Sequence, residues 1–223
     1  FSLLGVMADG GMAEYIKVPA NKLIELPSGL DVAIASLVEP LAVAVHGVDR
    51  AQVREGDRVL VIGAGPIGLA IGAVLRGRGI AYDITARYPH QQQAAERLGG
   101  KLRADGHYDV VMDAIGSASS LKQATARVKP MGRIGLVGMF WEPTKLEQQF
   151  WAKEAVLIPA AGYYCKSPRR SFDEARTLLH QCPDIAEALI THRYPLDGVT
   201  EAFHTAGNRA AGAIKVVFDI SKQ

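Results

Sequence analysis

Cysteine is scarce in this sequence, with only Cys165 and Cys182 among 223 residues. Two cysteines make no disulfide framework and no CxxC site, so a reducing cytoplasm is the expected setting. Net charge is also lacking. Lys and Arg number 25 against 23 Asp and Glu, a formal balance of +2, so neither a nucleic acid nor a membrane surface is an expected partner. No apolar run is expected to reach the length of a membrane span. The opening residues, Phe1-Ser2-Leu3-Leu4-Gly5-Val6, lack the charged start and cleavage site of a signal peptide. They also lack an initiator Met, so the sequence is expected to begin partway into a larger protein. No internal repeat or low-complexity stretch is present.

What is present is ordinary for a soluble protein with a real core: 48% hydrophobic and 22% charged residues. The length suits one large domain or two small ones. One stretch carries the chemistry: Asp57-Arg58-Val59-Leu60-Val61-Ile62-Gly63-Ala64-Gly65-Pro66-Ile67-Gly68. A short Val- and Ile-rich run stops at Gly63 and passes through a GxGxxG turn into a helix-like segment from Ile67 to Arg78. This is the strand–turn–helix opening of a dinucleotide-binding βαβ unit. Gly63 allows the tight turn, Gly65 lets the backbone approach a pyrophosphate, and Gly68 lets helix and strand pack closely. The phosphates would sit on free N–H groups at the positive end of the helix dipole. Gly63, Gly65, Pro66, Ile67 and Gly68 are therefore candidate cofactor contacts.

Residues 1 to 27 read as β-rich, with strands over Met12–Val18 and Asn21–Leu26. Asp31 is the N-cap of a helix expected to run through Val48, bent or interrupted at Pro40. From Asp57 onward strands and helices alternate, which implies a parallel sheet. The strands are expected at Ala81–Ala86, Tyr108–Asp113, Gly132–Val137 and Val156–Gly162. The intervening helices are expected at His90–Leu98, Ser119–Val128 and Leu146–Lys153. Helices at Ser171–Gln181, Ile185–Thr191 and Thr200–Ala206 and a strand at Ala213–Ile220 close the chain. The fold class is α/β, a doubly wound parallel sheet of Rossmann type. Only Lys101–His107 separates the helix ending at Gly99-Gly100 from the next strand, where a full Rossmann half carries another strand and helix. Either that unit is lost or the sequence skips residues.

The motifs fall in an order that resembles the zinc-dependent medium-chain alcohol dehydrogenases, in the polyol (sorbitol) and threonine dehydrogenase branch. The stretches that carry the resemblance are Asp9-Gly10-Gly11-Met12-Ala13-Glu14-Tyr15, Val38-Glu39-Pro40-Leu41-Ala42-Val43-Ala44-Val45-His46, the glycine turn, Gly132-Arg133-Ile134-Gly135-Leu136-Val137-Gly138, and Ile190-Thr191-His192-Arg193-Tyr194-Pro195-Leu196. The resemblance implies a partial, β-rich GroES-like substrate domain and linking helix over 1–48, a Rossmann domain over 49–165, and a return to the substrate domain over 166–223. It implies hydride transfer between NAD or NADP and a secondary alcohol or polyol and its ketone, assisted by zinc, in a homodimer or homotetramer. The Cys and His-Glu zinc ligands of that family have no counterpart here, and no Cys/His cluster has zinc-ligand spacing. Two alternatives stay open: a zinc-free quinone or enoyl reductase, and a dinucleotide-binding module without catalysis.

Glu39, a carboxylate before Pro40 on an apolar helix, needs a reason to be there. By resemblance it reaches a catalytic zinc; otherwise it is a cap or a structural hydrogen bond. Val43, one turn on, borders the nicotinamide or is plain core. His46, on the same face as Glu39, is a proton relay, a cofactor contact or a structural histidine. At the end of the second strand, NAD enzymes place an acid on the ribose 2′-OH. Ala86 stands there, followed by Arg87, which favours NADP over NAD through its 2′-phosphate. Asp83 lies three residues too early. Tyr88 could stack on adenine and Gln91 could reach the same phosphate. Ala114, Ile115, Val137, Gly138 and Met139 are the strand-end contacts the resemblance implies. Tyr163 and Tyr164 line the cleft or the core; the family's polyol branch has Arg where Tyr163 stands. Cys165 and Cys182 read as inert, and the remaining Lys and Arg as solvated surface.

Overall fold

A computed structural model describes residues 4–163 and 168–220. Helix α1 (Val38–Arg50) leads into β1 (Val59–Ile62), α2 (Pro66–Gly77), β2 (Tyr82–Thr85), α3 (Pro89–Arg97) and β3 (Tyr108–Asp113). These are followed by α4 (Ala118–Arg127), β4 (Val128–Leu136), α5 (Gln148–Ala152) and β5 (Val156–Pro159). The chain ends with α6 (Pro168–Gln181), α7 (Asp184–Leu189), β6 (Ile190–Tyr194), α8 (Val199–Gly207) and β7 (Lys215–Phe218). The first five strands form one parallel sheet in the order β2-β1-β3-β4-β5, and β6 and β7 form a separate parallel pair.

The alternation of a strand sorts its side chains between two cores. Val59 and Val61 of β1 join the layer of α1, α2, α3, α6 and α7, while Leu60 and Ile62 join the layer of α4. Both faces of the sheet are thus covered, which explains why β1 reads as an unbroken apolar run. Helix α1 packs on α2 and α6 and buries Leu41, Ala42, Ala44, Val45 and Val48 completely.

Several elements depart from the sequence reading. The strands expected over Met12–Val18 and Asn21–Leu26 do not form. Among the described residues before Val32 the only regular element is a 3-10 turn, Ala20–Lys22. Alternation supplies one apolar face, but a strand exists only by pairing, and Met12, Tyr15, Ile16 and Leu23 find no partner sheet and stay exposed. Asp31 does cap, accepting a hydrogen bond from the Ala33 amide at 2.9 Å, but what it caps is a 3-10 helix, Val32–Leu37. The break comes before Pro40, not at it. The α-helix starts at Val38, so the missing N–H of Pro40 falls in the first turn, where no intrahelical acceptor exists. The stretch Val32–Arg50 does reach the length and apolarity of a membrane span, 19 residues at mean hydropathy 1.5. Its apolar side is instead buried in this fold, as a core helix requires. Strand β4 begins already at Val128, and Ile190–Tyr194, expected as the end of a helix and a structural return, is strand β6 paired with β7.

The short connection at Lys101–His107 closes cleanly. Helix α3 itself serves as the crossover from β2 over β1 to β3, so the loop alone need not span that distance. The observed order matches the doubly wound order 3-2-1-4-5-6 without its outer strand, which leaves β2 as an edge. One residue stands in for the missing strand: the Ile84 amide donates to the Lys101 carbonyl at 2.9 Å, and the Lys101 amide to Tyr82 at 3.1 Å.

A polar clasp finishes that edge. Asp83, only 4% exposed, accepts from the Tyr108 hydroxyl at 2.8 Å and from Arg103 Nε at 3.0 Å. Arg58 lies over the Tyr108 ring, 4.6 Å from its centroid, and donates to the Asp105 carbonyl at 2.9 Å. Burial, with the Asp83 hydrogen bond behind it, pushes the Tyr108 hydroxyl up to about 12. The remaining cations are therefore not all solvated surface. Arg133 holds Asp57 through two hydrogen bonds at 2.8 and 3.0 Å and also donates to the Gln52 carbonyl. Lys153 donates to three carbonyls at the end of α4, those of Thr125, Ala126 and Val128, at 2.7–2.9 Å.

Candidate functional site

The carboxyl ends of β1 to β4 meet along one edge of the sheet. Strand order reverses at β1, with β2 on one side and β3 on the other, and open α/β sheets bind ligands in the crevice at that reversal. The glycine turn lies there. Gly63 takes φ +97°, a conformation that L side chains rarely adopt, and its amide donates to Thr85 Oγ1 at 3.0 Å, tying the turn to the end of β2. A Cβ on Gly68 would lie 1.7 Å from the Gly63 carbonyl oxygen, so α2 rests directly on the turn. A Cβ on Gly65 would meet nothing within 4 Å. Gly65 is the N-cap of α2 and no side chain covers the first amides; Pro66 at the first position has no N–H to leave unsatisfied. The Ile67 and Gly68 amides thus have no intrahelical acceptor. An open cradle over free amides at the positive end of a helix fits a pyrophosphate.

The other wall comes from the ends of β3 and β4. A Cβ on Gly63 would come within 2.6 Å of Ile115 Cγ1, so Ile115 lies across the glycine turn, and it is 51% exposed. Ala114 borders Gly68, its Cβ 3.4 Å from where a Gly68 Cβ would stand. Gly138 packs on the Gly116 amide, Met139 projects outward, and Val137 presses on Gly47 of α1. The structure therefore gathers Gly63, Gly65, Pro66, Ile67, Gly68, Ala114, Ile115, Val137, Gly138 and Met139 around one crevice.

Helix α1 contributes less. Within its buried run, Val43 is only half-buried. His46 is buried at 3% exposure; burial pushes its pKa down, Arg50 lowers it further and Asp49 opposes. Glu39 sits in the first turn with its side chain reaching solvent. Surrounding protein still displaces enough water to push its carboxyl up, against the pull of the Lys215 cation. Lys215, half-buried on β7, is itself pushed down by burial and supported by Glu39. Among the described residues no three His, Cys, Asp or Glu side chains converge to hold a metal ion. Glu39 faces a lysine and not further ligands, so these residues do not make a zinc site and no step is derived through one.

At the end of β2, Ala86 is half-buried and accepts from Gln92 Nε2 at 3.4 Å. Arg87 is exposed, its guanidinium 5.3 Å from the centroid of the Tyr88 ring. Tyr88 stacks on His90 with ring centroids 5.6 Å apart and planes 9° from parallel. Gln91 is buried at 7% exposure on the inward side of α3. Tyr163 packs edge-on against Phe172 of α6 at 4.8 Å. Tyr164 and Cys165 lie outside the described residues. Cys182 is half-buried against the core.

Two functional candidates escaped the sequence reading. Lys215 was placed on the surface, although a lysine inside the apolar run Ala213–Ile220 is a signal of its own. Asp113, the last residue of β3, is fully buried and folds back on the turn that follows it. An Asp ahead of Ala-Ile-Gly-Ser was the available sign, because Asp side chains bond backbone amides two residues on. A cavity of about 400 Å³ lies elsewhere, beside Arg58, Tyr82, Asp83, Lys101 and Arg103 at the amino ends of β1 and β2. It is the trough beside the missing outer strand, and its acids and guanidiniums pair with each other.

The family model described as the C-terminus of glucose dehydrogenase matches residues 32–220. The chain belongs to that family. A sorbitol dehydrogenase from Halalkalibacterium halodurans is 28% identical over 96% of this chain and 66% of its own length. The short chain alcohol dehydrogenase (rspB) from E. coli CFT073, solved in complex with NADH, superposes with a TM-score of 0.84 at 27% identity, over 96% of this chain and 67% of that one. A zinc-binding dehydrogenase from Sinorhizobium meliloti 1021, solved with NADP, gives 0.80 at 26% identity, over 97% and 68%. These agree with the family and the Rossmann fold read from the residues. The chain spans less than two thirds of several curated relatives, 63% of one and 66% of two others.

Proposed function

We propose that this family member is the cofactor-binding share of an NAD(P)-dependent oxidoreductase. Hydride would pass between the nicotinamide and a secondary alcohol or polyol, or its ketone. The observation that carries the reading is the open Gly65 cradle at the strand-order reversal, faced by Ile115 and Gly138. Relatives named for polyol and alcohol oxidation, and neighbours solved with NADH and NADP, support it. When bound, the nicotinamide supplies the hydride acceptor or donor. The chain's own residues bind and orient: the Ile67 and Gly68 amides take the pyrophosphate, and Ala114, Ile115 and Gly138 form the wall for the nicotinamide half. Any metal assistance needs ligands beyond Glu39.

The same reading assigns NADP as the preferred cofactor. No acid stands at Ala86 to bind a ribose 2′-OH, and Arg87 is free of any ion pair within 4 Å among the described residues. Arg87→Asp should weaken NADPH binding by about tenfold or more, the scale of a lost charge-assisted hydrogen bond. NADH affinity should hold or improve. An unchanged NADPH-to-NADH affinity ratio would remove the argument.

A homodimer through β5 completes the reading. This strand is the far edge of the sheet, and Trp151, Met131 and Val156 beside it are 79%, 76% and 50% exposed. An exposed apolar edge invites pairing with a second copy. Light scattering should give twice the chain mass, and Val156→Lys should shift it toward monomer. A wild-type protein that is monomeric at high concentration would contradict this.

A further inference from the structure

We propose that Asp113 is a positioning residue for the nicotinamide half of the cofactor, acting through Ile115 and Gly116. This rests on the dinucleotide-binding reading and assigns a residue that touches no ligand itself.

The geometry is specific. Asp113 is 0% exposed. Its Oδ1 accepts from the Ile115 amide at 2.9 Å and the Gly116 amide at 3.1 Å. Its Oδ2 accepts from Ser120 Oγ at 2.8 Å. Its carbonyl accepts from the Val137 and Gly138 amides, both at 2.9 Å. One residue therefore ties together the turn after β3, the first turn of α4 and the end of β4. These are the segments that form one wall of the crevice.

A carboxylate with no cation beside it is costly to bury. None of the ion pairs among the described residues includes Asp113, and burial pushes its pKa up while the two amides and Ser120 pull it down. A helix cap alone does not require it, because α4 is already capped by Ser117, whose Oγ accepts from the Ser120 amide at 3.1 Å. What Asp113 adds is the position of the turn. With Ile115 and Gly116 pinned, the Ile115 side chain lies over Gly63 and Gly116 seats against Gly138. Gly116 at φ +75° has no side chain to hold it, so the carboxylate supplies the restraint.

The adenosine half lies on the other side of the reversal, over β1 and β2, and does not touch this wall. That separation gives the test. Wild type, Asp113→Ala, Asp113→Asn and Ser120→Ala would be titrated with NADPH, with NADH and with ADP, a probe of the adenosine half. Asp113→Ala should weaken dinucleotide binding by about tenfold, the scale of lost hydrogen bonds to a charged group, and leave ADP affinity within about twofold. Asp113→Asn keeps the Oδ1 acceptor and should restore most of the loss. Ser120→Ala, which keeps the carboxylate, covers the case in which Asp113→Ala does not fold; it should weaken dinucleotide binding a few-fold and leave ADP unchanged. Equal losses for ADP and dinucleotide, or no dinucleotide loss in any variant, would overturn the positioning role. Failure of wild type to bind NADPH and NADH would instead overturn the function it rests on.

Discussion

Gly65→Ala is expected to weaken NADPH binding by about tenfold or more while costing about 1 kcal/mol or less of stability. The new Cβ meets no protein atom within 4 Å, and the backbone there, φ −79° and ψ −174°, suits any residue. The only thing that Cβ can meet is a ligand approaching the α2 amides. Gly68→Ala makes the contrast. Its Cβ would sit 1.7 Å from the Gly63 carbonyl oxygen, so the turn itself must move, and overpacking of this kind costs about 1–3 kcal/mol or more. Calorimetry and titration of both variants separate the two roles. The first should lose binding alone, the second binding and melting temperature together. Equal melting temperatures with equal binding losses would mean the three glycines are not doing different jobs.

Asp83→Ala is expected to be the most damaging single change at the sheet edge. It strips the buried Tyr108 hydroxyl of its acceptor and leaves Arg58 and Arg103 without their shared carboxylate. Losing hydrogen bonds to a charged group at a buried site costs about 2–3 kcal/mol. For a chain of this size that is a fall of roughly 4–12 °C in melting temperature. Asp83→Asn keeps the acceptor for Tyr108 and should cost less. The effect belongs to the shortened connection: with the outer strand missing, this clasp and the single Lys101 bridge are what finish β2. A change of less than about 2 °C for the alanine variant would mean that the edge is finished by something else.

The glycine turn was legible because each glycine answers a local demand that no other residue meets. The alternation from β1 to β5 was legible because each buried strand is a short apolar run between breakers. Two kinds of feature were not. Strands need partners, so the alternation of Met12–Val18 suggested a strand where no partner sheet exists. The reverse happened at Ile190–Tyr194, whose partner β7 lies more than twenty residues away. Ion pairs across long separations were equally hidden. Nothing near Arg133 in the sequence points to Asp57, or near Asp184 to Arg76, whose carboxylate and guanidinium meet at 2.6 Å. Asp113 fell between the two cases: its turn was readable, but its burial depended on β4 and α4 closing over it.

The most direct test of the account is a calorimetric titration of NADPH and NADH into the purified protein. The account predicts saturable binding of one dinucleotide per chain, tighter for NADPH than for NADH and lost with Gly65→Ala. Heat-silent titrations with both cofactors, from a protein shown to be folded by its melting transition, would contradict the claim that the Gly65 cradle is a dinucleotide site.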